Sequence, residues 1–394
     1  MTLASEWRLR RLDELGFVGR GRSRHRPRNE KRLYGGQYPF IQTADIMNAD
    51  PYINSYSQTY SEFGFQQSKM WSPGTLCMTI AGANTAKTAI LKIEACFPDS
   101  VVGFVPGKTK ADLHFVKYSL DLMKDRFLAV SRGATQDNLS LDKLLSFQLS
   151  VPDLEVQHQI GSILSSFDDL IENNNRRIKI LGQMAQMLYR EWFVNFRFPG
   201  HEKIKMVESD FGSIPQGWTL KRLGEVLSLE YGKALRAEQR SGGAIPVFGS
   251  SGVVGYHSER LAHGPGIVVG RKGNVGSVFF CDCDFWVIDT AYYVLTSLPL
   301  HFVYFNLLTQ NFLNNDAAVP GLNRNQAHSL PVILPDTNTV QTFENHVESF
   351  FKLKARLEKR NSNLRTTRDL LVAKLISGEI SVEQIEPEVP AQTV

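Results

Sequence analysis

Between Pro152 and Pro199 apolar residues recur at alternating steps of four and three. They are Ile160, Leu164, Phe167 and Ile171, then Ile178, Leu181, Ala185, Leu188 and Trp192, with Asn174 in the middle of the row. A mean step of about 3.5 is the seam of a coiled coil, and it predicts one long helix over residues 152–198. At about 1.5 Å of rise per residue, such a helix would run roughly 60 Å. Pro152-Asp153 is a fitting start, since Pro suits the first turn and Asp caps free backbone N–H groups. The polar Asn174 is a device that fixes register at some cost in stability. A helix of this length needs a partner, because propensity alone does not hold it in water.

The partner is in the same chain. Pro335-Asp336 repeats the start signal at an offset of 183 residues (152 to 335). The same offset carries the seam onto Phe343, Val347, Phe350, Lys354, Leu357, Asn361, Leu364, Arg368, Leu371 and Leu375, of which seven are apolar. Lys354 and Arg368 stand where apolar residues are expected.

Other stretches also occur twice. Trp7-Arg8-Leu9-Arg10-Arg11-Leu12 is answered by Trp218-Thr219-Leu220-Lys221-Arg222-Leu223 at an offset of 211, and Gly35–Phe40 by Gly242–Val247 at 207. Three ordered matches, ending in equivalent helices, predict a duplication. Short apolar runs at 74–80, 266–270, 278–280 and 285–288 read as strands, and 111–127 and 300–313 as helices. The fold class expected is α+β, two tandem globular domains and two long antiparallel coiled-coil helices in a pseudo-two-fold internal repeat. The boundaries are a first globular domain over 1–151, a central helix over 152–198, a second domain over 199–334, a C-terminal helix over 335–380 and a disordered tail over 381–394.

Composition changes this picture little. Hydrophobic residues make up 42% of the 394 and charged residues 21%, as in soluble globular proteins. The formal net charge of +4 does not by itself announce a nucleic-acid partner, but 20–32 reads RGRSRHRPRNEKR, a concentrated basic run. No apolar run is long enough for a membrane span, and no signal-peptide core follows Met1. The four cysteines, Cys77, Cys96, Cys281 and Cys283, lack zinc-site spacing and read as reduced thiols of a cytoplasmic protein.

Catalytic signatures are missing. Gly103–Thr109 has three residues between its glycines where a phosphate-binding loop needs four, and it reads as a surface turn. No His-Glu-x-x-His and no Asn/Asp-Pro-Pro-aromatic motif occurs. His114 and His257 are the candidates for a base, and each reads more simply as an ordinary surface or core histidine. The expected sets of catalytic and metal-ligating residues are empty.

The run from Pro152 through Gln157, Ile160, Leu164, Asp168, Ile171, Asn174, Arg177-Ile178, Leu181 and Ala185 to Trp192-Phe193-Val194 resembles the central region of type I restriction-modification specificity subunits. Gly321–Asn325 and the close Leu375–Ile380 resemble the same family's second helix and its lead-in. The resemblance covers nearly the whole chain and is loosest in the first domain. It implies that each globular domain recognises one half of a split double-stranded DNA target, with the helices as a ruler that sets a fixed spacer. It implies two modification subunits that carry the adenine methyltransferase and hold S-adenosylmethionine, so that this chain binds no cofactor, and restriction subunits that join them. The subunit itself would be non-catalytic.

Candidate DNA contacts follow from charge and turn chemistry. Arg20, Arg22, Arg24, Arg26, Arg28, Lys31 and Arg32, spaced by Gly and Pro, suit phosphates or a groove. Arg271, Lys272 and Asn274 sit at a glycine turn between apolar strands, where backbone can approach DNA and side chains can meet base edges. Ser250, Ser251 and Tyr256 flank a Gly-rich loop, and Lys87 and Arg324 complete the set. The aromatic group Trp192, Phe193, Phe196 and Phe198 reads as packing against the second domain, or as a docking point for a modification subunit. Arg176, Arg177 and Lys179 read as a solvated face. Competing readings are a coiled-coil adaptor, a non-specific DNA-binding scaffold, and a nuclease with an unrecognised motif.

Overall fold

The computed structural model describes residues 7–82, 85–131, 139–210, 212–240, 242–312 and 321–382. The expected disordered tail lies outside the described residues from 383 onward. The chain forms two compact units, Met1–Arg176 with Glu358–Val394, and Arg177–Leu357. Each unit therefore holds part of the helix Leu154–Tyr189 and part of the helix Thr337–Ile376.

In the first unit the strand Arg8–Arg11 pairs antiparallel with Gln148–Val151, Arg8 opposite Val151. One helical turn, Leu12–Leu15, leads to the strand Gly16–Arg20. The Arg11 N–H donates to Glu14 Oε2 at 2.6 Å, so Glu14 satisfies a donor at the start of that turn. Gly16–Arg20 is the edge of a five-stranded sheet that continues through Val101–Pro106, Leu76–Thr79, Thr88–Leu91 and Tyr52–Ile53. Leu76–Thr79 and Thr88–Leu91 are buried at every position, as strands covered on both faces are. A second sheet runs Gln58–Tyr60, Tyr34–Phe40, Ala95–Cys96 and Met70–Trp71.

The second unit repeats this plan. Thr219–Arg222 pairs with Pro331–Leu334, Thr219 opposite Leu334. The turn Leu223–Val226 follows, and the Arg222 N–H donates to Glu225 Oε2 at 2.5 Å. The recurrent W-x-L-basic-Arg-Leu pattern thus marks one strand and the cap of one turn in each unit. The main sheet runs Leu227–Tyr231, Ala291–Thr296, Gly266–Gly270 and Val278–Cys281. The Gly-Gly match is also structural. Phe40 pairs in parallel with Cys96, and Val247 in parallel with Trp286.

The helices run antiparallel within each unit. In the first, Asn174 Nδ2 donates to Asn361 Oδ1 at 2.8 Å, and Arg368, further along its helix, meets Asp168, further back along the other. In the second, Tyr189 and Trp192 pack on Phe343, while Leu181 lines a hollow with Phe350 and Lys354. Ile160, Leu164, Ile171, Asn174, Ala185 and Trp192 are buried, as are Phe343, Val347, Leu357, Asn361 and Leu375. At three points the buried position moves one residue on from the expected seam. Asp168, Tyr189 and Val372 are buried, whereas Phe167, Leu188 and Leu371 are half-buried. A straight helix of 3.6 residues per turn drifts about 20° per heptad from a strict 3.5 repeat.

Two expectations change. The helix expected over 111–127 is two helices, Leu113–Leu122 and Lys124–Ser131. The supposed surface turn at Gly103 is the interior of the strand Val101–Pro106, and a Cβ on Gly103 would stand 2.7 Å from the Trp71 ring. Among the described residues no helix is long and apolar enough to cross a membrane.

Candidate nucleic-acid interface

In the second unit the strand Leu227–Tyr231 ends on Tyr231, a residue 49% exposed. The Arg271 guanidinium lies 4.9 Å from the centre of that ring and the Arg324 guanidinium 5.2 Å from it. Both arginines are half-buried, and neither makes an ion pair among the described residues. Arg271 is fixed at its backbone, its N–H donating to Thr290 O at 2.9 Å and its carbonyl accepting from Leu322 N at 2.8 Å. Lys272 also donates its N–H to Thr290 O, at 3.0 Å. Gly273 takes φ +80°, a left-handed conformation that suits glycine. Ser277 Oγ donates to Ser250 O at 2.5 Å and lies 2.9 Å from Asn274 O, tying the turn to the hairpin Gly249–Gly252. The structure thus brings Arg271 and Arg324 together over Tyr231, with Lys272 and Asn274 on the turn that follows Arg271 and Ser250 on the hairpin tied to it through Ser277. Exposed Ser251 stands beside Ser250 in the same hairpin, and Tyr256, 53% exposed, lies further along its second strand opposite Pro246.

The first unit disposes its cations differently. Gly16–Arg20 ends on Arg20, whose Nε donates to Asp99 O at 2.9 Å. Arg28 reaches the Asp99 carboxylate with bonds of 2.7 and 2.9 Å, and Arg26 lies 3.8 Å from it. Arg32 and His25 both meet Glu30 and hold its carboxyl below the usual carboxylate range, Arg32 having the larger effect. The basic run is therefore partly neutralised. Arg22, Arg24 and Lys31 are exposed and make no ion pair among the described residues. Lys87 sits apart and half-buried, its backbone exchanging hydrogen bonds with Thr79.

Several cations and rings at these positions carry no motif of their own. The loop after Tyr231 carries Lys233, Arg236 and Arg240, and Lys69 lies over the rings of Phe17 and Trp71 at 4.7 and 4.1 Å. The signal for the first group was the 211-residue offset, which sets Tyr231 against Arg20 and Lys233 against Arg22.

The remaining groups suit structure. His114 is held below the ordinary imidazole value by burial, and its Nε2 lies 3.4 Å from Tyr52 Oη. His257 packs edge-on against Trp286, 5.3 Å between centres. Cys281 Sγ lies 3.6 Å from Cys283 Sγ, and burial pushes the Cys281 thiol up to about 12. With Asp282 these cysteines bring three potential ligand atoms within 4.8 Å of one another, one short of a four-coordinate zinc set. Trp192, Phe193 and Phe198 are buried, and Phe198 stacks on Trp218 with 5.0 Å between centres. Arg176, Arg177 and Lys179 are exposed.

The family model of the type I restriction modification DNA specificity domain matches residues 4–182 and 215–364. The chain belongs to this family. The two matched segments contain the two sets of cations just described, so each specificity domain brings its own. The specificity subunit of the type I restriction enzyme MjaIX of Methanocaldococcus jannaschii is 24% identical over 420 residues, covering 97% of this chain and 95% of that one. The specificity subunit of the type I restriction enzyme HindI of Haemophilus influenzae is 23% identical over 342 residues, covering 65% and 74%. The crystal structure of a type I restriction-modification S subunit from M. genitalium shares the fold, with a TM-score of 0.58 at 18% identity over 94% of this chain and 96% of that one.

Proposed function

We propose that this chain is the DNA-specificity subunit of a type I restriction-modification complex and addresses a split target, one half per specificity domain, across an unread spacer. The observation that carries the reading is the doubled interface. The same edge strand of the same sheet ends, in both units, beside cations that have no acidic partner among the described residues. Those cations supply phosphate contacts and therefore salt-dependent affinity, while the turn at Arg271–Asn274 supplies base-edge contacts. The chain acts without a catalytic centre of its own. Methyl transfer to adenine belongs to two modification subunits, which hold S-adenosylmethionine, and cleavage to the restriction subunits. The basic run of the first unit and the Tyr231 cluster of the second are the assigned DNA contacts.

A gel shift with the chain assembled on its modification subunits tests this. Binding should select one split sequence over random duplex and should weaken steeply with salt. Random duplexes competing equally well would favour a scaffold, and metal-dependent cleavage by the isolated chain would favour a nuclease.

A further inference from the structure

We infer that Arg271 reads a guanine in the half-site addressed by the second unit, and that Tyr231 is the positioning residue that holds it for that task. The inference rests on the DNA-reading function proposed above. A guanidinium has five N–H donors in a rigid fork, and it pairs in two-pronged fashion with guanine O6 and N7. Among the described residues Arg271 Nη1 donates to Asp289 O at 3.1 Å and the guanidinium also reaches the Tyr292 hydroxyl, which leaves part of its fork unspent. Its face is already occupied. The guanidinium lies over Tyr231 at 4.9 Å and over Tyr292 at 5.7 Å, and the two rings stand edge-to-face at 5.1 Å. A guanidinium covered on its face presents its edge, where the donors are.

The base of the side chain is equally constrained. Hydrogen bonds at both the N–H and the carbonyl of Arg271 fix the backbone from which it projects. Such preorganisation suits base reading, which demands a defined edge, more than phosphate contact, which a mobile side chain makes as well. Arg324 shares the ring with Arg271 and also has no acidic partner among the described residues. Two like charges converging on one ring favour an electron-rich partner between or beyond them. Among the described residues the first unit places no pair of arginines over one ring: Arg20 replaces Tyr231 at the 211-residue offset, and Ile80, whose N–H donates to Ser100 O as that of Arg271 does to Thr290 O, stands in the place of Arg271. Val102, opposite Arg20, pairs with Met78, and Tyr292, opposite Tyr231, pairs with Val269, which offsets the strands leading to Ile80 and Arg271 by 191 residues (269 − 78). The guanine-reading device therefore belongs to one half-site alone.

The test is genome-wide adenine-methylation sequencing in cells that express the full chain with its modification subunits. Arg271→Ala should leave one G·C pair unspecified in one half of the motif, discrimination there falling from roughly 10- to 100-fold to none. The other half should keep its wild-type specification. Arg271→Lys, which keeps the charge but loses the fork, should relax the same pair, and it serves if the alanine variant does not fold. Tyr231→Ala should also relax that pair, and Tyr231→Phe, which keeps the ring, should restore it. An unchanged motif in Arg271→Lys, a uniform loss of methylation at every site with the motif intact, or relaxation at an A·T pair would overturn the inference. A wild-type chain that yields no split motif would count instead against the proposed function.

Discussion

The two units share an opening strand, a capped turn and a sheet order, yet what they add to the apolar contact between their helices differs. In the first unit a buried polar contact is set beside the apolar residues Leu164, Val372 and Leu375. Asp168 is fully buried, the Tyr118 hydroxyl donates to it, and Arg368 pairs with it from the other helix. In the second unit the contact is aromatic. Tyr189, Trp192, Phe193, Phe302, Phe305 and Phe343 pack together, with Asn306 Nδ2 donating to Tyr189 Oη at 3.0 Å. One docking geometry thus admits two solutions with different weaknesses. A buried ion pair fails when one partner is removed, because the other charge is left uncompensated. A ring cluster fails by leaving a cavity.

The largest effects are therefore expected from one truncation in each unit. Arg368→Ala should cost about 3–5 kcal/mol by stranding Asp168. The double substitution Asp168→Leu with Arg368→Leu should recover much of that loss in urea unfolding. Phe343→Ala should cost a similar ~3–5 kcal/mol, and no second truncation in the ring cluster should rescue it. Rescue in both units, or in neither, would erase the distinction.

A smaller effect tests the polar seam. Asn174→Ala removes the donor to Asn361 Oδ1 and should cost about 1–2 kcal/mol by the same measurement. Cation use can be compared directly. Arg22→Ala with Arg24→Ala should lower the slope of log affinity against log salt by about 2, at roughly 0.9 for each lost phosphate contact. An unchanged slope would remove those residues from the interface.

The smallest effect concerns pH in the second unit. The Leu229 N–H donates to His328 Nε2 at 3.2 Å, so that nitrogen is unprotonated in the fold. Burial, and then the charge of Arg324, hold His328 below its ordinary value of 6.5. A depressed folded value means this contribution is present above about 6.5 and is lost as pH falls through the folded value. Protection of the Leu229 amide should drop roughly fivefold on acidification, equivalent to about 1 kcal/mol for one hydrogen bond. The first unit carries Leu145 at the matching 183-residue offset and should show no such local change.

The parts legible in the sequence were those written in periodicity and repetition. The seam from Ile160 to Trp192 and the two Pro-Asp starts lie in local pattern, and the W-x-L match marks a strand and a cap that each unit needs. What escaped depends on distant partners. Arg368 looked misplaced in an apolar row because its reason, Asp168, lies 200 residues away. Arg28 looked free because Asp99 lies 71 residues away. Tyr231 has no local signature in the sequence, since an exposed ring at the end of an apolar strand gains its meaning only when Arg271 and Arg324 fold onto it.

The central claim is that two copies of one reading unit each specify half of a DNA target. Sequencing adenine methylation in cells carrying this chain and its modification subunits measures that directly. The account predicts two specified blocks separated by a stretch of fixed length and unspecified sequence. One continuous block, or methylation without sequence preference, would contradict it.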